Sequence, residues 1–360
     1  MKVFSDGLGK RRIDMAGAVL ALAVLTLAAP LSPAWSQQAR QNGSGAASLP
    51  PALQAAFSAG NSQQIATAIA TLSGGNPTVA ASLSASLLST AEATLATDPM
   101  RALQAAAAAV QAVRAAAVAT AAPQQTESVL TQAARIFVSP AAQRVAPELT
   151  ASVAAAAISV AVSTGNPTLV ANVSANAMRV AESVLSVNPA AAVQIASQAM
   201  QAVGSSVVQQ SSPQQVMAVA TSAARIIINP EAQRGSPQAV GAIAGMVATV
   251  VSNPVVYQSA PAAAIQAMSN SYAAAQSTVV ASVAPSASRE VAQSIADAGK
   301  SNVLSQVNPN NPSEMNRILN NSVPVTASSM QTDRQTGTQT PQVTNPSNDT
   351  STIFANASPS

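Results

Sequence analysis

Of the chain's 360 residues, 48% are hydrophobic but only 2% aromatic and 8% charged, so its apolar content is carried by small side chains. Cysteine and histidine are both absent, which excludes disulfides, thiolate or imidazole metal sites, thiol nucleophiles and a Ser-His-Asp triad. The net charge of +3 belongs partly to the first 36 residues; beyond them 12 basic residues stand against 11 acidic, with no basic stripe to follow phosphates, so nucleic acid is excluded as a partner.

Residues 1–36 read as an export signal. Lys10-Arg11-Arg12 precedes the apolar run Ala16 to Leu31, and Ala34-Trp35-Ser36 supplies a small-x-small cleavage pattern. Cleavage after Ser36 leaves Gln37 at the mature N-terminus and places the product in the periplasm or outside the cell. Arg11-Arg12 also suggests a twin-arginine signal, but Asp14 stands where that signal wants an apolar residue, so the general secretory route is the better reading. No later stretch reads as an integral membrane span, and no lipoprotein cysteine exists. Residues 37–60, with Asn42-Gly43-Ser44-Gly45 and Pro50-Pro51, read as a flexible segment.

Residues 61–304 form the periodic body, and its core is a duplication. Residues 75–164 overlay 165–254 without a gap: Gly75-Asn76-Pro77-Thr78 lands on Gly165-Asn166-Pro167-Thr168, and Ala133-Ala134-Arg135-Ile136 on Ala223-Ala224-Arg225-Ile226. Prolines punctuate each copy, often after Asn or Asp. That pairing reads as an N-cap followed by proline at the first helical position, where its missing N–H costs nothing. Each unit therefore reads as four helices of roughly 15–22 residues. From Pro167, Leu169, Val173, Ala177, Val180, Val184 and Val187 step by three or four along one apolar stripe. Gly74, Gly75 and Gly165 fall at turns or helix ends rather than in a phosphate loop.

A partial third copy, residues 255–304, follows at an offset of about 72, since Pro261-Ala-Ala-Ala-Ile265-Gln266 mirrors Pro189-Ala-Ala-Ala-Val193-Gln194. One helix has been lost between them. A partial copy also precedes the first unit, as expected for caps on a stacked array. Residues 305–360, rich in Pro, Ser, Thr and Asn, read as a disordered tail apart from a short helix near Glu314 to Leu319.

The recurrent motif with the most chemistry is Ala-Ala-Arg-Ile followed by Ala-Gln-Arg. It places Arg135 and Arg144 in the first unit and Arg225 and Arg234 in the second. Guanidinium forks on one face would suit an oxyanion-bearing partner. Near helix ends they would instead brace free carbonyls, which is the favoured role. Glu92 and Glu182 recur at equivalent positions with no second carboxylate at helical spacing, so each reads as a solvated charge or an ion-pair partner, for example of Arg179. Lys300 is the sole lysine after the leader and sits in a polar stretch, a poor setting for serine–lysine chemistry.

Together these readings give an all-α protein of Ala-rich amphipathic repeats, two full units plus partial terminal copies, stacked as an α-solenoid or an elongated bundle. They imply no catalytic, cofactor or metal site. The functional expectation is an exported, non-enzymatic scaffold or binding module of the bacterial envelope or extracellular space. It would meet a protein or polymer partner, with self-association as an added mode. A surface-active or lipid-associated helical protein is the first alternative, and an enzyme of unfamiliar type the second.

Overall fold

Helix starts follow the local chemistry of the sequence. In the computed structural model, which describes residues 49–321, Asn76 Oδ1 accepts from the backbone N–H of Thr78 at 3.0 Å, and Asn166 Oδ1 from that of Thr168 at 3.1 Å. Proline follows each cap at the first helical position. Gly165 ends the first unit with φ 69°, a left-handed conformation that closes a helix cheaply only with glycine.

The described chain opens with α1 (Pro51–Ala59) and α2 (Ser62–Ser73). The first unit holds α3 (Pro77–Thr94), α4 (Pro99–Val113), α5 (Ala116–Ala121), α6 (Pro123–Val138), α7 (Pro140–Val145) and α8 (Pro147–Thr164). The second repeats the order with α9 (Pro167–Val184), α10 (Pro189–Val203), α11 (Ser206–Ser211), α12 (Pro213–Ile227), α13 (Pro230–Gly235) and α14 (Pro237–Val251). Then come α15 (Pro254–Ser259), α16 (Pro261–Gln276), α17 (Thr278–Val283), α18 (Pro285–Lys300), α19 (Asn302–Val307) and α20 (Asn311–Asn320). No strand occurs among the described residues. Each full unit thus has six helices rather than four, because two six-residue connectors lie between the long ones. The long helices of the two units run 15 to 18 residues.

Long helices alternate between two layers. Layer A is the row α3, α6, α9, α12, α16, α20, each packed on the next; layer B is α2, α4, α8, α10, α14, α18. Every long helix also packs on its sequence neighbour in the other layer. This is an open solenoid: the last helix of neither row packs against the first of its own row. Its ends are covered by polar side chains, as a stacked array requires. On α2, Gln63, Gln64, Thr67 and Thr71 face outward, and on α20, Ser313, Asn316 and Arg317 do.

Small residues let the layers approach closely. Helix α4 buries Ala102, Ala105, Ala106, Ala108 and Ala109 together with Leu103, Val110 and Val113. Each buried alanine removes little apolar area, but it loses no side-chain entropy and is the best helix former. Where α14 meets the α17–α18 corner even alanine is tight. A Cβ on Gly241 would stand 3.0 Å from Ala284 Cβ and 3.1 Å from Ala287 Cβ.

The structure corrects three expectations. Helicity begins at Pro51 rather than at residue 61, because Leu53 and Phe57 bury one face of α1 against the array. It ends at Asn320 rather than at residue 304, so the short helix expected near Glu314 to Leu319 is the last member of layer A. Helix α20 is locked by Tyr257, whose hydroxyl donates to Asn311 Oδ1 at 2.9 Å, while Asn311 Nδ2 donates to the Ala298 carbonyl at 2.8 Å. Third, α8 is long and apolar enough to cross a membrane by length and composition, with mean hydropathy 1.3; here it packs on α4, α6, α9 and α10. The leader, its Ser36–Gln37 junction, residues 37–48 and the tail beyond residue 321 lie outside the described residues.

The third copy enters the array in the opposite layer from its parent. By sequence α16 matches α10, which lies in layer B, yet α16 packs on α12 and α20 in layer A. Strict alternation forces this: loss of one long helix shifts the parity of every helix that follows.

Candidate functional site

The connectors determine what the two long edges of the array present. Layer-A helices all run the same way, so every B-to-A junction falls on one edge, here the leading margin, and every A-to-B junction on the other, the trailing margin. Connectors stack accordingly: α11 packs on α15 and α15 on α19 along the leading margin, and α13 packs on α17 along the trailing one. Six residues are too few to hold a helix alone. Each connector buries the side chain at its third position, Val118, Ala142, Val208, Ala232, Val256, Val280 or Leu304, and α5, α11 and α15 bury the next one as well, Ala119, Gln209 and Tyr257. A residue of open φ/ψ and a proline follow each connector, a recurring signature that a search for long helices overlooks.

The four arginines singled out by the sequence all sit toward the trailing margin, in two kinds of position. Arg135 lies in the last turn of α6, with Nη1 3.6 Å from Glu92 Oε1 of α3. Arg225 repeats this in α12, 3.7 Å from Glu182 of α9. The duplication has therefore copied an inter-helix ion pair: Glu182 is Glu92 plus 90, and Arg225 is Arg135 plus 90. The pairing joins residues far apart in the chain, so it does not show in helical spacing. These pairs are loose: their arginines are exposed, Arg135 by 64% and Arg225 by 46%, whereas Glu92 and Glu182 are only about a third exposed, and Glu182 Oε1 is buried without a hydrogen bond. Three residues before Glu182 on α9 stands Arg179, whose guanidinium is pulled below the usual arginine value by burial, with the Glu182 carboxylate opposing.

Arg144 and Arg234 lie instead on connectors α7 and α13. Arg144 Nε donates to the Pro140 carbonyl at 3.2 Å, and Arg234 pairs with Glu231 at 3.0 Å within its own short helix. The bracing of the preceding helix falls to the glutamine of the motif. Gln143 Nε2 donates to the Val138 carbonyl at 3.1 Å and Gln233 Nε2 to that of Ile227 at 2.9 Å. These are carbonyls at helix ends that lack intrahelical donors.

The structure does not gather the four arginines into one pocket. Helices α6 and α12 are separated by α9, so with interaxial distances of 8–10 Å the two ion pairs lie roughly 16–20 Å apart. An extended partner can meet both at once, whereas a small anion can meet only one. Among the described residues, no three acidic side chains converge as they would around a metal ion. A groove of about 510 Å³ also opens on the trailing margin, between Ser236 to Ala239 with Ala242 and Val283. No family model, no curated protein and no solved structure matches this chain.

Proposed function

We propose that the chain is an exported, non-enzymatic scaffold of the bacterial envelope or extracellular space, meeting a protein or polymer partner along its trailing margin. One observation carries this reading: an open, end-capped array displays the same loose Glu–Arg pair, its arginine exposed, twice along one edge. Exposed pairs at 3.6–3.7 Å add little to stability, typically under about 1 kcal/mol each. In further support, the arginines of the connectors are hydrated as well, Arg234 being 63% exposed. A partner with carboxylate or other oxyanion groups at matching spacing would engage guanidinium forks two layer-A steps apart.

The test replaces Arg135, Arg144, Arg225 and Arg234 with Gln in one protein. A partner is isolated on the wild-type chain from an envelope extract, then purified and measured against both proteins over a salt series. The expected result is a melting curve close to wild type with a large, salt-sensitive loss of affinity, because exposed charge contacts are screened over about 8 Å at physiological ionic strength. Unchanged affinity of the folded variant would remove the trailing margin as the partner face.

A further inference from the structure

The groove on the trailing margin lies where α14 begins and α17 ends. Its volume is about 510 Å³, and Ser236, Pro237, Gln238, Ala239, Ala242 and Val283 line it, so its wall is largely apolar and carries no charge. Val283, the last residue of α17, is 53% exposed. Ser236 stands at the N-cap position of α14, yet its side chain makes no capping bond. Its hydroxyl and the Gln238 amide suit the backbone of an extended segment.

The duplication sets the second unit apart here. Ser236, Pro237, Gln238, Ala239 and Ala242 correspond, 90 residues earlier, to Ala146, Pro147, Glu148, Leu149 and Ser152. The first unit thus has a leucine where Ala239 leaves space and a carboxylate where Gln238 is neutral. The next junction along the margin differs as well: it is connector α17 after α14, but a tight turn between α9 and α10 after α8.

Topology brings the end of the array to the same place. Every layer-A helix runs from the leading to the trailing margin, so α20 ends at Asn320 on the trailing one. It packs on α18, and α18 on α14, so with steps of 8–10 Å the groove lies roughly 10–20 Å from that end. Beyond residue 321, Ile353 and Phe354 are the only adjacent pair of large apolar residues, Phe354 is the only aromatic one, and the nearest charge is Asp349. The 33 residues from Asn321 to Phe354 reach roughly 110 Å when extended, several times the span required. A small apolar groove binds a free segment weakly, but a tether supplies this one at a millimolar effective concentration.

We propose that the groove is the docking site of this chain's own tail, with Ile353 and Phe354 seated against Pro237, Ala239, Ala242 and Val283. Docked there, the segment lies beside Arg234 and covers part of the margin assigned above to a partner, which makes the tail that partner's competitor. The competition rests on the scaffold reading; the docking does not, and the experiment reads docking alone.

The chain has no cysteine, so an introduced pair reports on its own contact. In the chain from Gln37 to Ser360, Ala242→Cys with Ala355→Cys should oxidise to a disulfide within one chain, seen as a faster-migrating monomer on a non-reducing gel. Adding Phe354→Ser, or Ala239→Leu with a wild-type melting curve, should slow this at least about tenfold by leaving only the tethered encounter. Ser152→Cys with Ala355→Cys, the matching position of the first unit, should oxidise slowly and ignore Phe354→Ser. A rate for the Ala242 pair that neither Phe354→Ser nor Ala239→Leu changes overturns the proposal and leaves the groove to a foreign partner. Disulfides formed only between chains also overturn it and assign the groove to the tail of a second copy.

Discussion

Removing one buried hydroxyl tests how the C-terminal end of the array is held. Tyr257 and Asn311 are both fully buried. The tyrosine hydroxyl donates to Asn311 Oδ1 at 2.9 Å and accepts from Asn308 Nδ2 at 3.3 Å. In Tyr257→Phe the Asn311 oxygen loses its donor where water cannot replace it, a loss of about 1–3 kcal/mol. Asn308 is only half-buried and can turn to solvent, so it adds little. Urea unfolding should show the loss. Hydrogen exchange should locate it, speeding α18 to α20 while the amides of α9 stay near wild type. The pH dependence supplies a second signature. Burial pushes the Tyr257 phenol above its usual value of 10.0, opposed by the bond from Asn308 and reinforced by the nearby Glu314 charge. The neutral phenol is therefore the form the fold favours. Its contribution is fully present below pH 10 and declines as pH rises toward the folded-state value, so the gap between wild type and variant should narrow above pH 10. If Tyr257→Phe keeps wild-type stability within about 0.3 kcal/mol and α20 exchanges at wild-type rates, the latch does not hold the cap.

Double-mutant cycles on Glu92–Arg135 and Glu182–Arg225, each residue changed to Gln, should give similar couplings below about 1 kcal/mol that fade in salt; couplings above about 2 kcal/mol would show that the pairs are structural. On α14 two glycines should respond oppositely. Gly241→Val should cost about 1–3 kcal/mol by overpacking against Ala284 and Ala287, while Gly245→Ala, whose Cβ would meet only Glu290 Oε2 at 3.6 Å, should gain up to about 1 kcal/mol from helix propensity, both read by thermal unfolding. On connector α11, Val208→Ser should cost roughly 2–3 kcal/mol by removing a buried anchor, and its exposed neighbour Val207→Ser should stay within about 0.5 kcal/mol.

Much of this architecture is written in the sequence because its causes are local. Asn76 and Asn166 cap their helices through their own side chains, Pro77 and Pro167 preset the first turn, and Gly165 supplies the left-handed exit. The apolar stripe from Leu169 to Val184 follows from helical periodicity and is buried in α9. The duplication likewise revealed which arginines recur. What they contact was decided elsewhere. Arg135 meets Glu92, and Arg225 meets Glu182, only because layer-A helices lie side by side and bring residues of separate helices to within 4 Å. The connectors were hidden for a related reason: a six-residue helix has no stability of its own and forms when one side chain, such as Val208 or Leu304, finds a pocket between long helices. Layer assignment depends least on local sequence. Helix α16 resembles α10 yet lies in the other layer, because position in an alternating array is set by how many long helices precede it, a count that no local pattern in either helix contains.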